Sequence, residues 1–444
     1  MKKLFSEFNP ATARDWKNQI VKDLKGGDFE KLVWHNPNGF SVQPFYTSED
    51  QNNKSPLFAE GNWNICEQIT VKDEASANAR ALKALEGGAS GLSFYIHKKI
   101  NTATLLKNIS LEHIYTQFFI SNDALHVLED LKNDYGKVNA HDGKVKCFVN
   151  IDPLSLFAFY GEWHDDEAKD LSTLKKLKHI PVNVSLYQEA GATQVTELAI
   201  GLAHLNEYFN YLSEQKSLSE KILHFTFSVG SDFFVEIAKF RAFRKLVALL
   251  QSEYKTNFPI HIHAQTSQLN KSNLDAYTNM LRTTTEGMSA VMGGCDSLCV
   301  LPYNETFENA NSFSSRISRN QQHVFKEESY LNKVADAGAG SYYIENLTEE
   351  LAERAWEEFK KIESKGGFIT CMKNGLIQEK IKIQAADLIK RFQEEKVVLV
   401  GVNKFQNKSE KQPAGSKQSA ISSQQPIDPI KPICLSDHLV KENA

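Results

Sequence analysis

The sequence of 444 residues lacks a CxxC pair and any regular spacing among its six cysteines. It has no apolar run near the ~18 residues that cross a membrane, and its N-terminus, MKKLFSEFNP, lacks a signal-peptide core. A disulfide scaffold, a membrane span and a secretory signal are therefore not predicted. We expect a cytoplasmic protein whose cysteines are reduced thiols.

Excess positive charge and nucleotide motifs are absent as well. The net charge is −4 and the pI is near 6.4, whereas a nucleic-acid-binding domain needs a basic face. Lys175, Lys176 and Lys178 form the main basic cluster, which is typical of a solvated helix face. The sequence contains no GxGxxG, no P-loop and no GxSxG, so it predicts neither a nucleotide site nor a serine hydrolase.

What the sequence does contain is an alternation of helical and β-type segments, with a hydrophobic fraction of 41% that allows a sizeable core. The predicted strands are 92–96, 114–120, 147–151, 181–187, 223–229, 259–263, 297–301 and 341–344. The predicted helices are 75–85, 123–133, 192–212, 233–250, 274–284 and 351–362. Strands that alternate with helices form parallel units, so the predicted fold class is α/β, a (β/α)8 TIM barrel.

The two ends of the chain differ from this pattern. Residues 1–60 combine one amphipathic helix, 11–24, with turn-rich sequence, and are predicted to form an N-terminal arm. Residues 61–403 are assigned to the barrel. Residues 404–444 are predicted to be a flexible or extended tail, because 404–431 are rich in lysine, glutamine, serine and proline. The last apolar stretch, 433–436, is a candidate for docking.

Several predicted strands alternate small polar residues with large apolar ones. Residues two apart share a face, and the surrounding helices need the apolar face, so the polar set is expected to line the inside of the barrel. The predicted lumen residues are Ser93, Asn183, Ser185, Thr226, Ser228, His261 and His263. Such an axis would be hydrophilic and open enough to thread a polar ligand. The alternative is a hydrogen-bonded polar core that holds no ligand.

His261 and His263 also have the spacing that presents two imidazoles on one side of a strand. Barrel hydrolases complete such a pair with His or Asp ligands from other strand ends. Here those ends carry Gln188, Gly230 and Asp296. No metal site is therefore predicted.

The stretch 313–348 is predicted to contain four consecutive elements. Residues 314–328 have helical spacing, and the glycines of 336–341 then permit a tight loop. The run 341–344 is β-type, and Thr348 is the predicted cap of the next helix.

Five motifs carry a resemblance to a known family: 188–193 (QEAGAT), 234–242 (FVEIAKFRA), 286–294 (EGMSAVMGG), 313–348 and 400–404 (VGVNK). They are similar to the adenosylcobalamin-dependent acyl-CoA mutases, above all methylmalonyl-CoA mutase. The segment 42–47 (VQPFYT), followed by Asp50, resembles the entry segment of that family. The similarity covers roughly residues 10–405.

The resemblance implies a (β/α)8 barrel whose axis holds the CoA chain of the substrate. It also implies interconversion of (R)-methylmalonyl-CoA and succinyl-CoA by a radical that arises from the cobalt–carbon bond of adenosylcobalamin, chemistry that belongs to the cofactor.

The sequence departs from the family pattern at four pocket positions. The tyrosine of Arg-Gln-Tyr falls on Gln68, and the histidine of Tyr-His-Met falls on Leu186. The arginine that precedes Thr-Ser falls on Gln265, and the histidine of Ser-Leu-His falls on Cys299. Leucine cannot hydrogen-bond a thioester carbonyl, so these positions are predicted to be vestigial and no catalytic residue is assigned.

The cofactor is expected on another chain. No Asp-x-His-x-x-Gly occurs, and residues 405–444 are too few for the cobalamin-binding domain. The resemblance therefore implies the small, noncatalytic subunit of a heterodimeric mutase, whose large partner binds adenosylcobalamin and the acyl-CoA substrate. Two alternatives stay open: the substrate-binding chain of a split cobalamin-dependent mutase, and a barrel that binds a CoA ester without catalysis. Neither a nucleic acid nor a membrane is an expected partner.

Overall fold

A computed structural model of the chain describes residues 7–9, 11–50, 61–121, 124, 127–131, 147–407 and 425–439. A short antiparallel hairpin, β1 (Trp34–His35) and β2 (Ser41–Val42), precedes a sheet of eight parallel strands. Those strands are β3 (Asn64–Thr70), β4 (Gly91–Ile96), β5 (Tyr115–Ile120), β6 (Cys147–Asn150), β7 (His179–Asn183), β8 (Ile222–Val229), β9 (Ile260–Thr266) and β10 (Ser297–Cys299).

The eight strands form a nearly closed barrel, which confirms the predicted fold class. Their order is β6-β5-β4-β3-β10-β9-β8-β7, so that the first strand of the barrel pairs with the last. Cys66 of β3 lies opposite Gly91 on one side and Cys299 on the other. The two end strands are neighbours in the chain and in space, and the His179 ring of β7 lies 3.0 Å from the Val149 carbonyl of β6.

Helices surround the barrel and bury its apolar outer face. They are α1 (Ala13–Asp23), α2 (Glu74–Glu86), α3 (Thr102–Leu105), α4 (Pro153–Tyr160), α5 (Glu167–Ser172), α6 (Ser185–Glu189), α7 (Gln194–Glu214), α8 (Phe233–Glu253), α9 (Thr278–Met292), α10 (Ser312–His323), α11 (Tyr342–Ser364), α12 (Gly367–Lys373) and α13 (Leu376–Gln393). Phe225 and Phe227 of β8 show the packing, since their rings meet Phe243 of α8 at 4.7 and 4.8 Å between centroids. None of the helices in the described ranges is long and apolar enough to cross a membrane.

Shorter helical turns complete the secondary structure. The 3-10 turns are Phe29–Leu32, Ser48–Asp50, Thr173–Lys176, Leu331–Lys333 and Leu435–His438, and Val324–Glu328 is a π-helical turn that extends α10.

The strand prediction needs three corrections. The strand Asn64–Thr70 was not predicted, although it is the first of the barrel. The predicted strand 181–187 ends at Asn183, because Ser185 begins the short helix α6. The prediction for 341–344 is wrong, since Ser341 is the N-cap of α11 and its hydroxyl accepts a hydrogen bond from the Ile344 amide. The predicted helix 123–133 lies partly outside the described residues, and 127–131 are helical.

Thr348 is not a helix cap either. It lies inside α11, where its hydroxyl donates to the Ile344 carbonyl and accepts from Arg241, 2.9 Å away. Arg241 is only 1% exposed and also binds Asp336 at 3.1 Å and Glu345 at 2.8 Å. This arginine of α8 therefore ties the glycine loop after α10 to the first turns of α11.

The predicted tail is partly described. Residues 408–424 and 440–444 lie outside the described ranges, whereas 425–439 run across the segments that follow strands β6, β7 and β9. The amides of Ile427 and Ile430 donate to the carbonyls of Gly161 and Ala158. Ile433 donates to the Glu189 carbonyl, so docking at 433–436 is confirmed. The division into arm, barrel and tail stays a prediction.

Ile430 should be one of the two main apolar anchors of the segment 425–439, because it is only 3% exposed; the other is Leu435, at 2%. Replacing Ile430 by serine is expected to cost about 2–4 kcal/mol of the docking free energy, since a buried aliphatic side chain is lost. Hydrogen exchange of amides 425–439 should then rise. The control is Ile383→Ser, where the side chain is 63% exposed and no increase is expected. Unchanged protection in Ile430→Ser would contradict the prediction.

Candidate functional site

The amino-terminal half of the barrel interior is filled by aromatic rings, which we call the aromatic floor. It consists of Tyr115, Phe148, His179, His224 and His261. Phe148 is central: its ring centroid lies 4.3 Å from that of His224 and 4.9 Å from that of His261. Rings at these distances are in van der Waals contact. The expectation of an axis open enough to thread a ligand therefore does not hold in this half of the barrel.

A polar layer lies above the aromatic floor and contains two of the predicted lumen residues. Gln117 donates to the Ser93 hydroxyl at 2.6 Å, and its amide nitrogen lies 2.9 Å from Nε2 of His263. The other ring nitrogen of His263 lies 2.9 Å from the Ser297 hydroxyl. His261 reaches the same hydroxyl at 3.2 Å. The layer is a continuous hydrogen-bonded network, as the ligand-free alternative describes.

The histidines inside the barrel are held in their neutral form. Burial lowers the pKa of His179 and His263 to about 3 and that of His261 to about 4. Burial lowers the pKa of His224 well below its usual value, and the neighbouring histidines add to that effect. Within the described part of the chain, no three His, Cys, Asp or Glu side chains are grouped so as to hold a metal ion.

The carboxyl-terminal half of the barrel holds the other predicted residues. Gln265 accepts a hydrogen bond from the Tyr95 hydroxyl at 3.2 Å and donates to Ser228 at 3.3 Å. Ser228 in turn donates to Glu189 at 2.6 Å. Burial raises the pKa of Glu189, although hydrogen bonds from Ser228 and the Gln268 amide oppose that shift. Gln265 is thus one member of a series of hydrogen bonds that runs from Tyr95 through Ser228 to Glu189.

The four positions at which the sequence departs from the family do not share one pocket. Leu186 lines a cavity at the carboxyl end, together with Asn183 and Thr226. Gln68 lines a different cavity, beside Lys72, and donates to Glu305 at 3.4 Å. Cys299 is 1% exposed, and burial raises the pKa of its thiol. Ser185, predicted for the lumen, begins α6 and donates to Asn183 at 2.6 Å.

The cavity beside Leu186 has a volume of about 250 Å³ and opens at the carboxyl ends of β4 to β7. One wall is the stacked ring pair of Tyr95 and Phe119, whose centroids are 4.5 Å apart. The lining also includes Asp152, which accepts hydrogen bonds from Tyr208 at 2.5 Å and from His204 at 2.9 Å. These contacts fix the carboxylate.

Sequence reasoning missed most of the aromatic floor and most of the cavity lining, including Tyr95, Phe119, Ser121 and Asn150. Tyr115 and Gln117 alternate along β5 as the polar sets do elsewhere, and that spacing was the available signal. His179 was missed because β7 begins two residues before the predicted strand. Asn150 was missed because its role depends on packing: neither of its amide atoms has a hydrogen-bond partner in the described structure.

Comparisons with known proteins agree with the resemblance seen in the sequence. A family model described as methylmalonyl-CoA mutase matches residues 95–431. The methylmalonyl-CoA mutase small subunit of Porphyromonas gingivalis is 36% identical, over 97% of this chain and 75% of that protein. The small subunit from Streptomyces virginiae is 30% identical, over 90% and 71%. The methylmalonyl-CoA mutase of Rhizobium meliloti is 28% identical, over 90% of this chain and 64% of its own length.

Proposed function

This chain belongs to the methylmalonyl-CoA mutase family, and from that premise we propose that it is the small, noncatalytic subunit of a heterodimeric mutase. The enzyme would interconvert (R)-methylmalonyl-CoA and succinyl-CoA, and the whole reaction would take place in a large partner subunit. This chain would stabilise that subunit. The observation that carries the proposal is the aromatic floor.

The aromatic floor argues against a CoA chain along the axis of this barrel. Tyr115, Phe148, His179 and His224 are each at most 3% exposed, so that no channel remains among their rings. A CoA chain could enter the amino-terminal half only if several of these rings left their contacts. Ring pairs of this kind contribute roughly 0.5–1.5 kcal/mol each beyond their burial. Such a rearrangement would oppose binding.

The vestigial positions support the same proposal. Leu186 has no polar side-chain atom, so it cannot stabilise charge on a thioester oxygen as a preorganised hydrogen-bond donor does. Gln68 is engaged with Glu305, and Gln265 is engaged with Tyr95 and Ser228. Neither glutamine is poised toward the cavity beside Leu186.

Adenosylcobalamin would accordingly be bound by the partner. A histidine that held this cofactor would need an accessible ring nitrogen. The floor and polar-layer histidines do not fit, because His179, His224 and His263 are at most 1% exposed and lie among packed rings or hydrogen bonds. No step of the reaction is assigned to this chain.

The N-terminal arm offers a surface for the partner. Helix α1 has no buried residue among its own, and Trp16 and Val21 are 58% and 47% exposed. Trp16 contacts only one other ring, that of Phe45, at 5.5 Å among the described residues. Aromatic side chains exposed in this way are typical anchors of protein interfaces. We infer that α1 packs on the large subunit.

Reconstitution tests the proposal directly. The chain should copurify with a large subunit that carries the cobalamin-binding domain, and mutase activity should require that subunit. The control replaces the large subunit by its isolated cobalamin-binding domain, which should give no activity. Turnover from this chain and the isolated domain alone would overturn the proposal and favour a split mutase.

Restoring the lost pocket residues gives a second test. In the heterodimer, Gln68→Tyr combined with Leu186→His is expected to leave kcat and KM unchanged within twofold, because only the partner reacts. The matched control places the reverse changes, Tyr to Gln and His to Leu, at the corresponding positions of the large subunit, where a loss of at least a hundredfold is expected. A clear rate change in the first variant would contradict the assignment.

A further inference from the structure

We propose that the cavity beside Leu186 binds a small uncharged ligand that carries a primary-amide edge on a planar apolar body. This inference goes beyond the proposed function, because it gives the chain a ligand of its own that is neither a CoA ester nor cobalamin. It rests on the shape of the cavity, on an unpaired buried amide and on the charges of the lining residues.

The cavity has the shape of a small-molecule site. Its volume of about 250 Å³ lies just below the roughly 300–1,000 Å³ typical of pockets for drug-sized ligands, so it suits a smaller molecule. The stacked rings of Tyr95 and Phe119 form one wall, and Phe159 and Leu186 also contribute apolar surface. A planar apolar body fits against these side chains.

Asn150 defines the polar end of the site. Its side chain lines the cavity and is 7% exposed, yet neither Nδ2 nor Oδ1 has a hydrogen-bond partner in the described ranges. The Ser121 hydroxyl lines the same cavity and likewise has no partner there. Buried polar groups left unpaired are costly and therefore rare in proteins. A ligand that supplies both an acceptor and a donor would satisfy Asn150.

A primary amide meets this requirement better than a carboxylate does. Nδ2 of Asn150 can donate to the ligand carbonyl, while Oδ1 accepts from the ligand NH2, so the two amides pair head to tail. A carboxylate has no hydrogen to give to Oδ1. The Ser121 hydroxyl, which is both donor and acceptor, can accept a hydrogen bond from the second N–H of the ligand amide.

The charges around the cavity select against anions. Neither lysine nor arginine is among the lining residues in the described chain. Burial alone would raise the pKa of Asp152, but His204 and hydrogen bonds from Tyr208 and the Asn183 amide lower it overall, so it stays a carboxylate. Burial also lowers the pKa of His97, another lining residue, and keeps it neutral at pH 7.

Lys431 contacts Phe159 but does not offer its charge to the cavity. Lys431 lies with Nζ 3.7 Å from the centre of the Phe159 ring and donates to the Phe159 carbonyl at 2.5 Å. It is not a lining residue of the cavity. An anionic ligand would therefore lose its hydration and meet Asp152 without gaining a counter-ion.

Benzamide and benzoate are the probes that test the proposal, since they have nearly the same shape and differ in charge and in the NH2 group. Each is titrated into the full-length chain without any partner, with binding followed by ligand-observed NMR and calorimetry. Benzamide is expected to saturate one site, and benzoate to bind at least about tenfold more weakly. Equal affinities would overturn the proposal, as would the absence of saturation by either probe, which would indicate a cavity that holds water only.

The variant Asn150→Leu removes the amide while keeping a side chain of similar size. It should weaken benzamide binding at least about tenfold and leave the thermal midpoint equal or higher, because an unpaired buried amide is lost. The control is Asn78→Leu on α2, whose amide donates to the Leu105 carbonyl away from the cavity and whose loss should not change binding. Unchanged affinity in Asn150→Leu would overturn the proposal. Because the partner is absent, this outcome is independent of the heterodimer tests.

Discussion

Replacing Arg241 by methionine is expected to lower the free energy of unfolding by about 3–5 kcal/mol. The guanidinium of Arg241 is buried and binds both carboxylate oxygens of Asp336 and of Glu345, within 3.2 Å in each case. Its removal takes the positive charge of the guanidinium away from two buried carboxylates, and that penalty exceeds the value of the ion pairs themselves. Urea unfolding, followed by circular dichroism, measures the change.

Two further variants make this prediction specific. Arg241→Lys retains the charge but cannot bond both carboxylates in the planar geometry of guanidinium, so an intermediate loss is expected. Arg354→Met is the control, because Arg354 is 43% exposed and pairs with Glu350 one helical turn away. That exposed pair is worth less than about 1 kcal/mol. If Arg241→Met unfolded at the wild-type midpoint, the role of Arg241 as an anchor would be wrong.

Replacing His261 by phenylalanine is expected to destabilise the protein at pH 7.5 and to stabilise it at pH 5. The phenylalanine ring can keep the stacking on Tyr115 and His224, whose ring centroids lie 5.1 and 5.3 Å from that of His261. It loses the hydrogen bond to Ser297, at a cost of about 1 kcal/mol. At acid pH a second effect, of opposite sign, becomes larger.

The second effect follows from the lowered pKa of His261. Burial lowers that pKa from 6.5 to about 4, so the unfolded chain binds a proton that the folded chain rejects. The neutral histidine contributes its full stability above pH 6.5, and this contribution is lost as the pH falls toward 4. At pH 5 protonation of His261 in the unfolded chain has lowered the free energy of unfolding of the wild type by about 1–2 kcal/mol. The phenylalanine variant has no such loss.

Only the difference between the two proteins isolates this histidine. Burial raises the pKa of Asp232 and Glu363 to about 7 and that of Glu197 to about 8, so these carboxyls stabilise the fold as the pH falls through the same range. They are present in both proteins and cancel. Unfolding is measured at pH 5, 6 and 7.5, with the exposed His113→Phe as a control that should show a constant difference. A constant difference for His261→Phe as well would contradict the prediction.

The barrel could be predicted from the sequence because its strands repeat one local pattern. In β8, for example, Phe225 and Phe227 are apolar and must be buried against the surrounding helices. Thr226 and Ser228 then face the interior of the barrel. The pattern fails at 341–344, where three β-type residues follow Ser341. The capping hydroxyl of Ser341 and the buried helical positions Leu347 and Leu351 decide the conformation there, and the two leucines lie beyond the run itself.

The candidate site was less predictable, because it depends on contacts between strands that are far apart in the sequence. The spacing indicates that Tyr115, Phe148 and His224 face inward, but it does not indicate that their rings meet and close the axis. Asn150 illustrates the same limit. Its amide has no hydrogen-bond partner because of the way the neighbouring side chains pack, and this packing cannot be read from the sequence.

The position of β3 between β4 and β10 has a consequence for biosynthesis. Asn64, at the start of β3, donates to the Asp296 carbonyl, which lies 232 residues later in the chain. At a synthesis rate of roughly 5–20 residues per second, about 10–50 s pass before that neighbour exists. During this interval one edge of β3, with Ile65 and Ile69, has no strand to pair with, and such an edge is a template for aggregation. The nascent chain should therefore depend on chaperones most strongly at its first barrel strand.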